Sequence, residues 1–341
     1  MKNIVCNTRC LNANFTGVQR YTTEILKGLP PTVDQMSCPP KLSRGLKGHA
    51  WEQMVLPVKM KGKLLFSPSN TGPVFYCNQV VVLHDIVPID HPEWFNPNFS
   101  RWYRSILPIL VKNVRHIIAI SEFTKERIVT KLKVSEGKIS VIYNGVDHAF
   151  FSTFKKSVQL QLPFKRYVLA LSSIEPRKNI DLLLTVWRRI EKKLPEDVGL
   201  VIAGKTGNTL IFNRVILGDR PKTVHFTGYV EESEMASLYA NAMFFCYLSS
   251  YEGFGLPPLE AMACGCPVLA SKLTAVGEIV KDNGCLINPH DSHEIEESIL
   301  FLINHDEARK TLGERGAKHS REFSWKDTCM KTWEVLQNFN S

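Results

Sequence analysis

Two glutamates, Glu252 and Glu260, stand eight positions apart in the run Ser249-Ser250-Tyr251-Glu252-Gly253-Phe254-Gly255-Leu256-Pro257-Pro258-Leu259-Glu260-Ala261-Met262-Ala263. Ionised carboxylates only accept hydrogen bonds, and sugar hydroxyls are fitting donors. Gly253 and Gly255 let a ligand come close to the main chain. Pro257 and Pro258 suit a first helical turn, where the missing N–H groups have no partner inside the helix anyway. A helix starting there turns its free amides and positive dipole end toward the loop, which favours an anion such as a phosphate. Two further cations, Arg177 and Lys178, lie in Ser172-Ser173-Ile174-Glu175-Pro176-Arg177-Lys178-Asn179, between an apolar run and a helical pattern. Arg can grip a diphosphate as a fork and Lys as a point charge. His84-Asp85 follows the apolar run Val80 to Leu83. A histidine at the carboxyl end of a parallel strand sits on the rim where open α/β sheets place their chemistry.

The elements that must carry these residues are short apolar runs: Met243 to Leu248 before the glutamates, Tyr167 to Leu171, Leu200 to Lys205, Val80 to Leu83, Leu64 to Phe66 and His116 to Ile120. They have the length and composition of buried parallel strands. Helical patterns alternate with them, including Val18 to Leu29, Arg101 to Val114, a helix from Ile180 and Glu231 to Ala242. Such alternation predicts an α/β chain with parallel sheets. A chain of 341 residues is long for one core, which predicts two domains. Asn144-Gly145-Val146-Asp147 turns the chain, a linker runs to about Pro163, and the expected domains are residues 1–155 and 156–324, followed by a final helix within 325–341 capped by Ser324.

With 44% hydrophobic and 22% charged residues the chain is neither disordered nor membrane-embedded. No apolar run reaches the roughly 18 residues of a spanning helix, and the N-terminus lacks a signal peptide's long apolar region, so a cytoplasmic location is expected. Nine cysteines, scattered without C-x-x-C pairs or His/Cys ligand spacing, read as reduced thiols, and no structural zinc is expected. Residues 1–155 hold 20 Lys and Arg against 10 Asp and Glu, whereas the remainder holds 22 against 23, so the whole excess of +9 lies in the first half. No nucleic-acid motif accompanies it. An anionic membrane face, a phosphate-bearing acceptor or a merely soluble basic surface all fit the excess.

Glu252-Gly-Phe-Gly-Leu-Pro-Pro-Leu-Glu260-Ala-Met-Ala-Cys-Gly-Cys-Pro-Val268 resembles the donor-site signature of the retaining nucleotide-sugar glycosyltransferases of glycosyltransferase family 4, with its Glu-x7-Glu pair. The loop from Thr8 to Tyr21 is similar to the first loop of these enzymes, in which a glycine, here Gly17, approaches the donor diphosphate; Gly17 also reads as a plain helix-start glycine. Trp51-Glu52-Gln53 with Leu56-Pro57 resembles a segment of the mannosyltransferase-like branch, which assigns Trp51 to the acceptor side. His84-Asp85 resembles the family's cleft histidine, whose backbone or ring contacts the transferred sugar, with Asp85 orienting the ring or binding acceptor. Gly204 and Lys205 resemble a strand-end pair beside the donor base or phosphate. Tyr229 and Val230 fall where the family surrounds the nucleobase, and they equally suit packing. Many members carry Gly-Arg where this chain has Ser172-Ser173, which moves the diphosphate's weight onto Lys178, with Arg177 second.

The resemblance implies the GT-B architecture, two Rossmann-like domains facing a central cleft, with the final helix packing back on the first. It also implies roles: Glu260 on the ribose hydroxyls, Lys178, Arg177 and loop amides on the diphosphate, and Glu252 with the amides of Gly253, Phe254, Gly255 and Leu256 on the sugar. The transfer would pass through an oxocarbenium-like sugar with retention, a leaving-phosphate oxygen taking the acceptor proton. No Asp-x-Asp motif lies in a fitting place, so neither a metal nor a cofactor beyond the substrate nucleotide-sugar is expected. The implied function is hexose transfer, first mannose from GDP-mannose, to a saccharide or lipid-linked saccharide in surface polysaccharide synthesis at the inner membrane face. Rhamnosyl or glucosyl transfer from dTDP- or UDP-sugars, and a non-catalytic nucleotide- or carbohydrate-binding relative, are the alternatives. A phosphorylase would need a pyridoxal-bearing lysine, which nothing singles out.

Overall fold

Valine-, isoleucine- and leucine-rich segments that are buried on both faces pair most readily in parallel sheets covered by helices, and this chain builds two of them. The computed structural model describes residues 4–13, 16–43, 45–153, 161–171, 175–204 and 221–340. The first sheet comprises β1 (Ile4–Asn7), β2 (Asp34–Met36), β3 (Leu64–Ser67), β4 (Gln79–Leu83), β5 (His116–Ala119) and β6 (Ile139–Val141) in the spatial order β2-β1-β3-β4-β5-β6. All of its pairings are parallel, with Val5 opposite Leu65 and Phe66 opposite Val80. The second comprises β7 (Arg166–Leu171), β8 (Val198–Ala203), β9 (Val224–Gly228), β10 (Phe244–Tyr247), β11 (Val268–Ser271) and β12 (Cys285–Ile287) in the order β12-β11-β10-β7-β8-β9, again parallel throughout. This is the α/β, GT-B class of chain.

Two compact units follow from the sheets: Met1–Pro92 with Pro97–Gly145 and Phe323–Ser341, and Glu93–Asn96 with Val146–Glu322. The chain passes from the first unit to the second at Gly145, inside the turn Asn144-Gly145-Val146-Asp147. Gly145 has no room for a side chain, because a Cβ there would collide with the main chain of Trp325. The final helix, Trp325–Asn338, completes the first unit. Its Thr328 hydroxyl donates to Tyr143 O at 2.8 Å, and its Cys329 thiol reaches Glu24 O at 3.4 Å on the Gly17–Gly28 helix.

The helices seal the faces with apolar stripes. In the first unit, Leu107, Leu110 and Val111 of the Pro97–Asn113 helix pack on Val81, Leu83, Ile117 and Ala119. In the second, Leu183, Leu184, Val186 and Trp187 of the Ile180–Ile190 helix pack on Val168, Ala170, Leu200 and Ile202. Trp187 is fully buried, yet its Nε1–H is satisfied by Thr223 Oγ1 at 2.9 Å. Removing a core aromatic of this kind costs about 3–5 kcal/mol.

Candidate active site

In the second unit β7, β8 and β9 build outward on one side and β10, β11 and β12 on the other, so the strand order reverses between β7 and β10. Ligands of open α/β sheets bind outside the carboxyl ends of the strands at such a reversal. The loop after β7 carries Arg177 and Lys178 in the turn Pro176–Lys178, and the loop after β10 carries Glu252. Ser250 N–H donates to Arg177 O at 2.8 Å and ties the two loops together. The predicted strand, loop and helix are all present: β10 ends at Tyr247 and the helix Leu256–Ala263 begins with both prolines in its first turn. Gly255 sits just before it at φ +110°, a conformation open to glycine, and a Cβ there would press on Val276 Cγ2 at 3.1 Å.

Glu252 is the hub of this site. Its Oε1 accepts from Lys178 Nζ at 2.7 Å, Tyr247 OH at 2.8 Å and Ser249 Oγ at 2.8 Å, and its Oε2 accepts from Arg177 Nη1 at 2.9 Å. Arg177 Nε reaches Glu175 Oε2 at 2.9 Å, and Lys178 Nζ also donates to Tyr247 OH at 2.6 Å. Two carboxylates and two cations thus balance in a nearly water-free cluster. Burial alone would raise the Glu252 carboxyl, but the Arg177 and Lys178 charges and the donated hydrogen bonds hold it down to about 2. Lys178 is lowered, because the cost of burying its charge outweighs the attraction of Glu252. Three donors saturate Oε1, so a sugar hydroxyl can reach this carboxylate only at Oε2. Two cations fixed side by side in a dry site can stabilise negative charge that develops on a leaving group.

Tyr247, Ser249 and Glu175 do not stand out in the sequence as site residues. Tyr247 reads as the end of an apolar strand, but a buried phenol needs a partner, and a tyrosine closing a strand five residues before a glutamate was the usable signal. The remaining residues are placed less uniformly. Gly253 and Phe254 are buried, Phe254 at 3% exposure, so its ring packs inside the protein; Leu256 and Glu260 are partly exposed on the helix. Gly204 N–H donates to Gly228 O at 2.8 Å, joining the ends of β8 and β9, next to Tyr229, which is exposed, and Val230, which is half-buried. Lys205, like Ser172 and Ser173, lies outside the described residues.

In the first unit His84 follows β4 as expected. Its Nε2 lies 2.8 Å from Pro68 O, and a carbonyl only accepts, so Nε2 carries the proton and leaves Nδ1 as an acceptor. Tyr21 meets the ring edge-on at 4.9 Å, and burial lowers the ring to about 4, with the Pro68 hydrogen bond opposing, so it is neutral near pH 7. Main-chain bonds fix it further: its N–H donates to Asn70 Oδ1 at 2.5 Å and its carbonyl accepts from Thr124 Oγ1 at 3.3 Å. Asp85 Oδ1 accepts from Val87 N–H at 3.3 Å. Gly17 is exposed as the first residue of its helix. Trp51 is buried among Val5, Cys38, Leu56, Met60 and Leu65, so its indole packs in the core rather than presenting a surface to an acceptor. Among the described residues no group of three or more His, Cys, Asp or Glu has a metal-holding arrangement.

Comparison with known proteins gives the family. The family model described as "Glycosyltransferase Family 4" matches residues 75–150, and that described as "Glycosyl transferases group 1" matches residues 153–319, which spans the whole Arg177, Lys178 and Glu252 cluster. The chain is 29% identical to O-antigen chain mannosyltransferase B of Escherichia coli over 76% of its own length and 72% of that protein's. It is 30% identical to O-antigen chain mannosyltransferase RfbU of Salmonella typhimurium over 70% of its own length but only 64% of that protein's. The crystal structure of Anabaena Alr3699/HepE in complex with UDP-glucose has the same fold, at a TM-score of 0.76 and 19% identity over 99% of this chain and 100% of that one. Two parallel α/β units, a clamped Glu-x7-Glu loop at the reversal of the second sheet and both family matches place the chain in glycosyltransferase family 4.

Proposed function

We propose that this protein is a retaining mannosyltransferase that moves mannose from GDP-mannose to a saccharide or lipid-linked saccharide in the assembly of O-antigen or a similar surface polysaccharide. The observation that carries the chemistry is the Glu252 clamp, which holds Lys178 and Arg177 side by side at the sheet reversal. These cations stabilise the charge that grows on the departing diphosphate, the sugar passes through an oxocarbenium-like state, and a phosphate oxygen accepts the acceptor's proton. With two fixed cations in this role the reaction runs without a divalent metal. The mannosyl donor is favoured by the two O-antigen relatives, both mannosyltransferases; the UDP-glucose complex of the Anabaena protein favours the second reading, a UDP-sugar donor.

The same reading places the protein at a membrane surface when it meets a lipid-linked acceptor. No helix among the described residues is long and apolar enough to cross a membrane. In the first unit, however, Met54, Val58 and Phe75 are exposed near Lys59 and Lys61. Gln53 joins the two segments, donating to Gly72 O and accepting from Val74 N–H at 2.9 Å each. Exposed apolar groups in a lysine-bearing segment suit an anionic lipid surface.

A melting-temperature screen tests the reading, because a ligand that binds only the native state raises Tm. The expected result is a rise with GDP and GDP-mannose in the presence of EDTA, with smaller changes for UDP, ADP and dTDP and their sugars. A rise with UDP-glucose alone replaces the donor, and no rise with any nucleotide overturns the transferase reading.

A further inference from the structure

The first unit contains a buried polar cluster that the donor chemistry leaves unused. Its sheet also reverses, between β1 and β3, and the carboxyl ends of these strands lead to Asn7 and Arg9 on one side and Thr71 on the other. Glu52, with no solvent exposure, lies among them. Its Oε1 accepts from Asn7 Nδ2 at 2.8 Å, Arg9 Nε at 3.1 Å and Thr71 Oγ1 at 3.2 Å; its Oε2 accepts from Arg9 Nη2 at 3.2 Å, which also donates to Thr71 Oγ1 at 3.0 Å.

Glu52 is delivered by a π-helical turn, Trp51–Val55, a wide turn that concentrates at functional positions. Trp51 anchors the turn in the core and Gln53 pins it to Gly72 and Val74, so the carboxylate cannot swing out. A buried ion pair adds little net stability compared with apolar packing, so its worth lies in holding Arg9. The Arg9 side chain keeps 13% exposure, and its Nη1 has no hydrogen-bond acceptor among the described residues. Beside it, buried His49 Nδ1 makes no hydrogen bond and lies 3.9 Å from Glu52 Oε2, while its ring meets Trp102 edge-on at 5.3 Å.

We infer that Arg9, locked in place by Glu52, is a recognition residue for a neutral, hydroxyl-rich saccharide acceptor at the carboxyl edge of the first sheet, with His49 beside it. The inference rests on the glycosyltransferase reading and deepens it. The charge pattern selects the ligand's chemistry: Arg9 and Glu52 cancel, so the pair offers one directed donor without net positive charge. Such a site suits sugar hydroxyls and disfavours a phosphate.

The test uses the full chain, α-mannobiose as probe acceptor and mannose 6-phosphate as charged probe, with saturation-transfer NMR for binding and GDP-induced Tm shift for the second unit. Arg9→Lys keeps the charge opposite Glu52 but lacks the fork, so the fold is retained. The expected result is binding of α-mannobiose in preference to mannose 6-phosphate, weakened tenfold or more by Arg9→Lys, with the GDP shift intact. Glu52→Gln, which frees Arg9, gives the same loss where it folds. Unchanged α-mannobiose binding in Arg9→Lys, no α-mannobiose binding by the wild type, or tighter binding of mannose 6-phosphate overturns the inference while the GDP shift stands. A wild type without a shift for any nucleotide overturns the transferase reading and this inference with it.

Discussion

Lys178 Nζ donates to Glu252 Oε1 across 2.7 Å, and the same ammonium lies 4.8 Å from the centre of the Tyr247 ring. A lysine held at once by a carboxylate, a phenol oxygen and a ring face has few orientations left. Glu252 therefore acts first as the part that aims the two cations, and only its Oε2 has room for a further donor.

Glu252→Gln keeps the shape but removes the charge that holds Lys178 and Arg177. Loss of a charge-assisted contact in a preorganised site costs about 3 kcal/mol or more. The expected outcome is a fall in kcat/KM on the order of 100-fold or greater with far-ultraviolet circular dichroism unchanged. Near-normal turnover would remove Glu252 from the mechanism.

Tyr247→Phe leaves the ring, which stacks at 5.5 Å on Phe245, and deletes only the hydroxyl between Lys178 and Glu252. Losing one buried hydrogen-bonding group of this kind is worth roughly 1–3 kcal/mol. A loss of about tenfold in kcat/KM is expected, and a double-mutant cycle with Glu252→Gln should show strong non-additivity, since the two share one network. Simple additivity would mean that the hydroxyl works elsewhere.

What the chain makes legible follows from how far apart the partners stand. The strand, Gly-rich loop and helix around Glu252 lie within one contiguous run, and the prolines and Gly255 announce the junction. Alternating strands and helices give the parallel sheets, because a right-handed crossover permits little else. Arg9 and Glu52, by contrast, pair across 43 positions, and no local spacing records that. Trp51 was legible as an important residue, but type alone does not separate a ligand-facing indole from a core one. Its neighbour Glu52, a carboxylate between Trp51 and Gln53, carries the polar contact while the indole packs below. Tyr247 was hidden for the opposite reason, since its body belongs to the strand and only its hydroxyl belongs to the site.

The pH dependence of stability separates two buried groups. His84 falls from its ordinary 6.5 to about 4 in the folded chain, so its neutral form contributes stability that is whole above pH 6.5 and is lost as pH falls toward 4. Glu252 falls from 4.5 to about 2, so its contribution is whole above pH 4.5 and is lost only as pH drops toward 2. Each shift corresponds to a loss on the order of 3 kcal/mol. Melting followed from pH 8 to pH 4 should therefore steepen below about 6.5, and His84→Asn should flatten that part of the curve while lowering Tm at pH 8. An unchanged slope in His84→Asn would assign the acid sensitivity to other groups.

Gly255→Ala tests whether the loop geometry, apart from its charges, sets the donor site. At φ +110° an alanine is strained wherever its methyl points, and the methyl would also press on Val276 Cγ2 at 3.1 Å. A forced left-handed residue costs of order 1–3 kcal/mol, and the chain escapes by shifting the loop between Glu252 and Pro257. That shift moves Glu252 and the first amides of the Leu256–Ala263 helix together. Two measurements are then expected to move in concert: Tm falls by several degrees, and the nucleotide-induced rise in Tm shrinks. The Glu252 clamp is tied to the preceding loop through Ser250 and Arg177, so the cations follow the carboxylate rather than staying behind. A variant that loses stability yet keeps the full nucleotide shift would show that the diphosphate is held from the Arg177 side alone.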